Sequence, residues 1–137
     1  MELTPVGLRD ADEIKRGVAE FAHDSNSGLI FVGPPSSVAL PLRELVVSLA
    51  AQHRLPAIYA TLAFASLGGL ISYGPDLIND YRRAASYIDR ILKGESPAEL
   101  PVQAPTKYEL IVNLKTAKML GLSIPSGMLV GADEVIE

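Results

Sequence analysis

The residues best able to do chemistry in this chain fall in three polar stretches, each following an apolar run. GPPSS at 33–37 carries the hydroxyls of Ser36 and Ser37. TLAFAS at 61–66 carries Thr61, the ring of Phe64, and Ser66. YGPD at 73–76 carries Tyr73 and Asp76 and reads as a turn. The runs before them, LIFV at 29–32, PAIYA at 56–60 and LISY at 70–73, have the apolar content of buried strands. In an open parallel sheet, ligands sit beyond the carboxyl ends of the strands. The three stretches then meet at one edge. They offer hydroxyls, an aromatic ring, one carboxylate and the N–H groups of helix N-termini. That set suits a small polar or zwitterionic molecule. Helix N-termini favour a carboxylate, and Asp76 can answer an ammonium group. Asp76 is also a plain N-cap for the helix after it, and one carboxylate can do both.

No catalytic constellation accompanies these residues. The glycines form neither G-x-G-x-x-G nor a P-loop, and no G-x-S-x-G elbow is present. His23 and His53 each fall at the polar C-terminal end of a helix, where the dipole favours imidazolium. Asp10, Asp12 and Glu13 cluster at a helix start and read as cap and dipole complement rather than a metal site. Arg82-Arg83 and Asp133-Glu134 read as solvated positions. With no cysteine in the chain, disulfides and thiolate metal sites are excluded. No cofactor is expected. The formal net charge is -4 and no Lys/Arg block occurs, which argues against a nucleic-acid partner.

The elements that must position the polar stretches follow from pattern. The length of 137 residues suits one domain, and 48% hydrophobic residues suffice for a core. Residues 3–8 read as a short irregular edge strand, interrupted by Pro5. Asp10 caps a helix with Glu13 at capping-box spacing, and Ile14, Val18, Phe21 and Ala22 form its buried stripe. A second helix carries Val38, Leu42, Leu45, Val46 and Leu49, with Pro41 in its first turn. A third runs over 77–93, with Gly94 past its end. A Pro-rich linker spans 95–106. A strand follows at 108–112, then a short helix begun by Asn113, and a last strand at 134–136. This alternation predicts an α/β fold: a three-layer, mostly parallel sheet flanked by helices. No apolar run reaches membrane-spanning length, and Met1-Glu2-Leu3-Thr4-Pro5 lacks the character of a signal peptide.

Longer motifs add a resemblance. SYGPD, the run DRILKGESPAELPVQAPTKYEL and NLKTAKMLGLSIP resemble the C-terminal part of ABC transporter substrate-binding proteins. LIFVGPPSSVALPLRELVVSLAAQHRLPAIYA is similar to the same family. The resemblance implies a periplasmic solute-binding protein of the type I two-lobe arrangement, of which this chain holds mainly the second lobe. It implies a small ligand, an amino acid among the candidates, held in the cleft between lobes without chemistry. It also implies an ABC permease as partner and hinge-like segments near 71–75 and 97–105 within a single unit spanning 1–137. Family members are about twice as long, so the chain is expected to be truncated. Taken as a complete product, it would be cytoplasmic. The rival expectations are a free-standing oligomerising α/β module or gene remnant, and a small enzyme using Asp76 or Tyr73 as acid or base.

The truncation bears on the helix over 77–93. Leu77, Tyr81, Ala84, Ala85, Ile88, Ile91 and Leu92 form an apolar stripe. In the family this helix belongs with the first lobe. Left wet, four or five large side chains would forfeit on the order of 10 kcal/mol. A homo-oligomer is therefore expected, with Leu77, Tyr81, Ala84, Ile88 and Ile91 at its interface. The alternative is a helix folded back on its own sheet.

Overall fold

The computed structural model describes residues 3–22, 26–32 and 40–137. Its elements run α1 (Ala11–Phe21), β1 (Leu29–Phe31), α2 (Leu40–Gln52), β2 (Ala57–Tyr59), α3 (Ala63–Ser66), β3 (Ile71–Pro75), α4 (Leu77–Leu92), a 3-10 turn (Pro97–Glu99), β4 (Tyr108–Asn113), α5 (Leu114–Leu120), α6 (Ser126–Val130) and β5 (Glu134–Ile136). The five strands form one sheet in the order β1-β2-β3-β4-β5. β1, β2 and β3 are parallel, as are β4 and β5. The pair β3–β4 is antiparallel. The α/β class and the mostly parallel sheet flanked by helices are as the alternation required. The antiparallel pair arises because the chain leaves the sheet after Pro75 and returns beside it at Tyr108.

Local chemistry sets the helix ends. Asp10 Oδ1 accepts from Glu13 N–H at 2.8 Å. The reciprocal bond comes one residue earlier than in a capping box, since Glu13 accepts from Arg9 N–H at 3.0 Å. Ile14 and Val18 are buried as the stripe demands. The Phe21 side chain, Val38, and His23 lie outside what the structure describes. α4 closes on Gly94 at φ 100, and α5 on Gly121 at φ 72, both left-handed positions where glycine avoids Cβ strain. Asn113 caps α5 by accepting from Thr116 N–H at 3.0 Å.

The expected edge strand at 3–8 does not form. Pro5 has no N–H to give a ladder, and Val6 instead seats on α1 at Gly17, where a Cβ would meet its side chain at 2.4 Å. Nor is YGPD a turn: β3 continues through Gly74 and Pro75, paired with Glu109 and Tyr108. The core lies on one face of the sheet. There Ile14 and Val18 of α1, Val46 and Leu49 of α2, and Phe64 of α3 pack with Phe31, Ala57 and Tyr59 of β1 and β2. The rings of Tyr59 and Phe64 stack at 4.7 Å, with Phe31 tilted 4.8 Å from Phe64. The opposite face is covered unevenly. Ile30, Ile58, Ile71 and Val112 are register partners in a row across it. Val112 is fully buried and Ile58 and Ile71 half-buried, but Ile30 is 60% exposed.

One glycine fixes how tightly β3 approaches the chain after β2. A Cβ on Gly74 would stand 2.1 Å from the Ala60 carbonyl oxygen. Backbone cannot yield as a flexible side chain does. Gly74→Ala is therefore expected to destabilise the chain by about 2 kcal/mol, in the range for overpacking. Urea unfolding of the two proteins checks this, and an unchanged midpoint would contradict the contact.

Candidate functional site

The parallel strands β2 and β3 deliver their carboxyl ends to the same edge, and β4 begins there because it runs the other way. The edge therefore holds the predicted Thr61, Tyr73 and Asp76 together with two residues that sequence reasoning missed, Lys107 and Tyr108. Tyr108 stacks on Tyr73 with ring centroids 5.6 Å apart, and both rings are about half exposed. A strand at 108–112 was legible. Its antiparallel direction was not, and direction decides which end reaches the site.

Asp76 caps α4, its Oδ1 accepting from Asn79 N–H at 3.0 Å. Its Oδ2 accepts from Lys107 Nζ at 2.8 Å. Lys107 also reaches Glu109 at 3.1 Å. The backbone holds the pair in place, since Asp76 N–H donates to the Lys107 carbonyl at 3.0 Å. The carboxylate that could answer a ligand ammonium thus already faces one. Lys107 chiefly, with the Asn79 N–H, holds the Asp76 carboxyl below its ordinary range, while desolvation opposes. Lys107 is raised, first by Asp76 and then by Glu109.

Thr61 is almost wholly buried, and Ser72 of β3 is completely so. Neither hydroxyl finds a hydrogen-bond partner among the described residues. A buried unpaired hydroxyl costs about 1–3 kcal/mol, so both call for an explanation. Phe64, the predicted aromatic of the edge, is instead a core ring stacked on Tyr59, because α3 turns it inward. The same burial pushes Tyr59 up to about 12. Ser36 and Ser37 lie outside the described residues. Among the described residues, no group of three or more His, Cys, Asp or Glu is placed to hold a metal ion.

A separate groove of about 510 Å³ runs between α4 and the Pro-rich segment after it, lined by Arg83, Tyr87, Ile91 and Pro101 among others. It shares no lining residue with the carboxyl edge. Arg83, read as a solvated position, is the fastener here. It donates to the Gln103 side chain, to the Ala104 carbonyl at 3.2 Å and to Thr106 Oγ1 at 3.0 Å. Tyr87 OH donates to the Pro101 carbonyl at 2.6 Å. The segment is strapped to the helix. Asp133, likewise read as solvated, accepts from Leu110 N–H at 2.8 Å and so ties β4 to the turn before β5.

Asp76 gives a prediction whose sign follows from its lowered pKa. A carboxyl held low in the fold stabilises above its unfolded value of about 4 and loses that contribution as pH falls further. Asp76→Asn keeps a capping oxygen but loses the ion pair. Its stability deficit against the parent should be full at pH 7 and shrink below about pH 4. Thermal midpoints at several pH values test this. A deficit that stays constant down to pH 3 would rule out the ion pair as its source.

Comparison with known proteins agrees with this architecture. The family described as ABC transporter substrate binding protein matches residues 1–136. No curated protein matches the chain. Among solved structures, a conserved domain protein from Vibrio cholerae O1 biovar El Tor is similar at 25% identity and TM-score 0.79, over 93% of this chain and 42% of that one. The ABC domain in complex with L-Trp from Streptococcus pneumoniae is similar at 25% identity and TM-score 0.78, over 96% and 44%. A ligand-free, open substrate-binding protein with adhesive properties from Clostridium difficile shares the fold, at 22% identity and TM-score 0.64, over 95% and 42%. This chain thus spans less than half the length of each of these structures. No helix among the described residues is long and apolar enough to cross a membrane. By the family match over nearly all its residues, the chain belongs to the ABC transporter substrate-binding proteins.

Proposed function

We propose that this chain is the second-lobe portion of a solute-binding component of a bacterial ABC-type importer, acting outside the cytoplasmic membrane with an ABC permease. It binds a small amino-acid-like molecule at the carboxyl edge of its sheet and does no chemistry on it. The observation that carries this reading is the gathering of the Tyr73–Tyr108 stack, the Asp76–Lys107 pair and the Thr61 hydroxyl, which has no partner among the described residues, at that edge. An aromatic shelf suits an apolar or aromatic side chain. The adjoining charges suit an ammonium and a carboxylate. The L-Trp bound by the streptococcal relative supports the same ligand class. Ser36 and Ser37 are proposed contacts from the stretch that follows β1 in sequence. Phe64 serves by propping the edge from within the core. Segments 71–75 and 97–105 act as the hinge-like crossings of the whole protein.

Enclosure of most of a ligand's surface normally underlies affinity in such sites. One lobe offers half a cleft, so binding by this chain is weak. Titration of isotope-labelled protein with L-tryptophan, followed by NMR, should shift the resonances of Thr61, Tyr73 and Tyr108 with a dissociation constant on the order of millimolar. Tyr73→Ala should weaken that binding about tenfold, or about 1.4 kcal/mol. Absence of any shift at the edge up to the solubility of tryptophan would remove this ligand class.

A second reading concerns α4, in which no residue is buried. Leu77, Tyr81, Ala84, Ile88 and Ile91 are all exposed. Helices depend mainly on a packed apolar face for their stability. We propose that the chain pairs with a second copy through this helix. Light scattering across a dilution series should give twice 14.6 kDa. A molar mass that stays monomeric at every concentration would exclude the pairing.

A further inference from the structure

The carboxyl edge carries rings on one side of the sheet and charges on the other. β3 and β4 pair Gly74 with Glu109 and Pro75 with Tyr108, and residues directly opposite in an antiparallel pair share a face. Tyr73 and Tyr108 therefore lie on the face of Ile71. Glu109 lies on the other, with Gly74. Lys107 and Asp76 join it there, since Lys107 Nζ reaches Asp76 Oδ2 at 2.8 Å and Glu109 Oε1 at 3.1 Å. Thr61 belongs to the charged face as well. A Cβ on Gly74, projecting to that side, would stand 3.5 Å from Thr61 N. Thr61 is only 8% exposed, and its hydroxyl has no partner among the described residues.

One ammonium against two carboxylates leaves a negative charge over, and the hydrogen bonds say where. Asp76 is answered on both oxygens, by the Asn79 N–H and by Lys107. It also caps α4, where the helix dipole favours a carboxylate, and it is buried. Glu109 has only the longer bond, on Oε1. Its Oε2 has no partner among the described residues, although the side chain is just 22% exposed. A carboxylate so far out of water is costly unless its charge is answered. Lys107 is raised by both carboxylates and keeps its proton. A ligand carboxylate arriving here meets an ammonium already answered twice. A ligand ammonium meets a carboxylate answered once and a hydroxyl with no partner. We propose that Glu109, with the Thr61 hydroxyl on the same face, receives the ligand's ammonium, and that this edge selects aromatic amines alongside aromatic amino acids while rejecting aromatic acids that lack the amine. This deepens the ligand reading given above and rests on it. The ligand then lies over the strand ends, its ring on Tyr73 and Tyr108 and its ammonium on the Glu109 face.

Three probes that share an indole ring test this. The isotope-labelled chain is titrated at neutral pH, followed by NMR, with tryptamine (ammonium only), L-tryptophan (both charges) and indole-3-propionate (carboxylate only). Tryptamine should bind within about threefold of L-tryptophan, and indole-3-propionate about tenfold more weakly, the scale of one hydrogen bond to a charged group. Glu109→Gln should weaken tryptamine about tenfold and leave indole-3-propionate unchanged or tighter, because Lys107 then faces one carboxylate fewer. A variant merely damaged in its fold would lose all three probes alike, and that outcome would overturn the inference. So would equal binding of tryptamine and indole-3-propionate by the parent chain, a measurement that needs no variant. Retention of the tryptamine preference by Glu109→Gln would overturn it too, moving the receptor to Asp76. Binding of L-tryptophan without preference among the charges would end this inference and leave the proposed function standing. Binding of tryptamine without L-tryptophan would support Glu109 and end the amino-acid reading instead.

Discussion

The Gly74 backbone presses against the Ala60 carbonyl so closely that no side chain fits between them, and the sheet's two halves meet at that strand. β3 takes β2 on one side in parallel and β4 on the other antiparallel. It is the point at which chain direction changes. The five register pairs from Ile71–Val112 to Pro75–Tyr108 fix where the returning chain re-enters. That re-entry point places Lys107 against Asp76 and Tyr108 against Tyr73. The candidate site is therefore a by-product of register. A slip of one residue would turn each of these side chains to the other face.

The core and the site compete for the same strands. Tyr59 and Phe64 stack on the inner face while Tyr73 stacks with Tyr108 beyond it. Ser72, between Ile71 and Tyr73, points inward, and its hydroxyl has no partner among the described residues. A core built for stability alone would place an alanine there, since a buried hydroxyl without a partner lowers stability. Thr61 repeats the pattern at the end of β2. Local rules that fail in an otherwise consistent fold tend to mark functional positions.

Much of the architecture was legible because it rests on short-range rules. Asp10, Asp76 and Asn113 announced three helix starts, and each side chain makes its cap bond. The apolar runs gave the strands, and the exposed stripe of α4 followed from spacing alone. What escaped the sequence depended on contacts distant along the chain. The direction of β4 follows from where the strap returns, not from the composition of YELIVN. Phe64 looked like an edge ring because it sits in a polar stretch, yet one turn of helix sends it inward. Arg83 looked solvated because it was read together with Arg82 as one charged pair, while its own acceptors lie some twenty residues further on.

The antiparallel rung between Pro75 and Tyr108 has a consequence for how such a chain can change over time. Because those two residues are neighbours in the ladder, everything between them is topologically an insert in a β-hairpin. Inserts whose ends lie side by side can be lengthened, exchanged or lost with little strain on the host. The helix and its strap can thus diverge at one pace and the sheet at another. A family built this way can vary its helical insert, with Asp76 and Lys107 at the insert's two ends, without rebuilding the strands that carry Tyr73 and Tyr108.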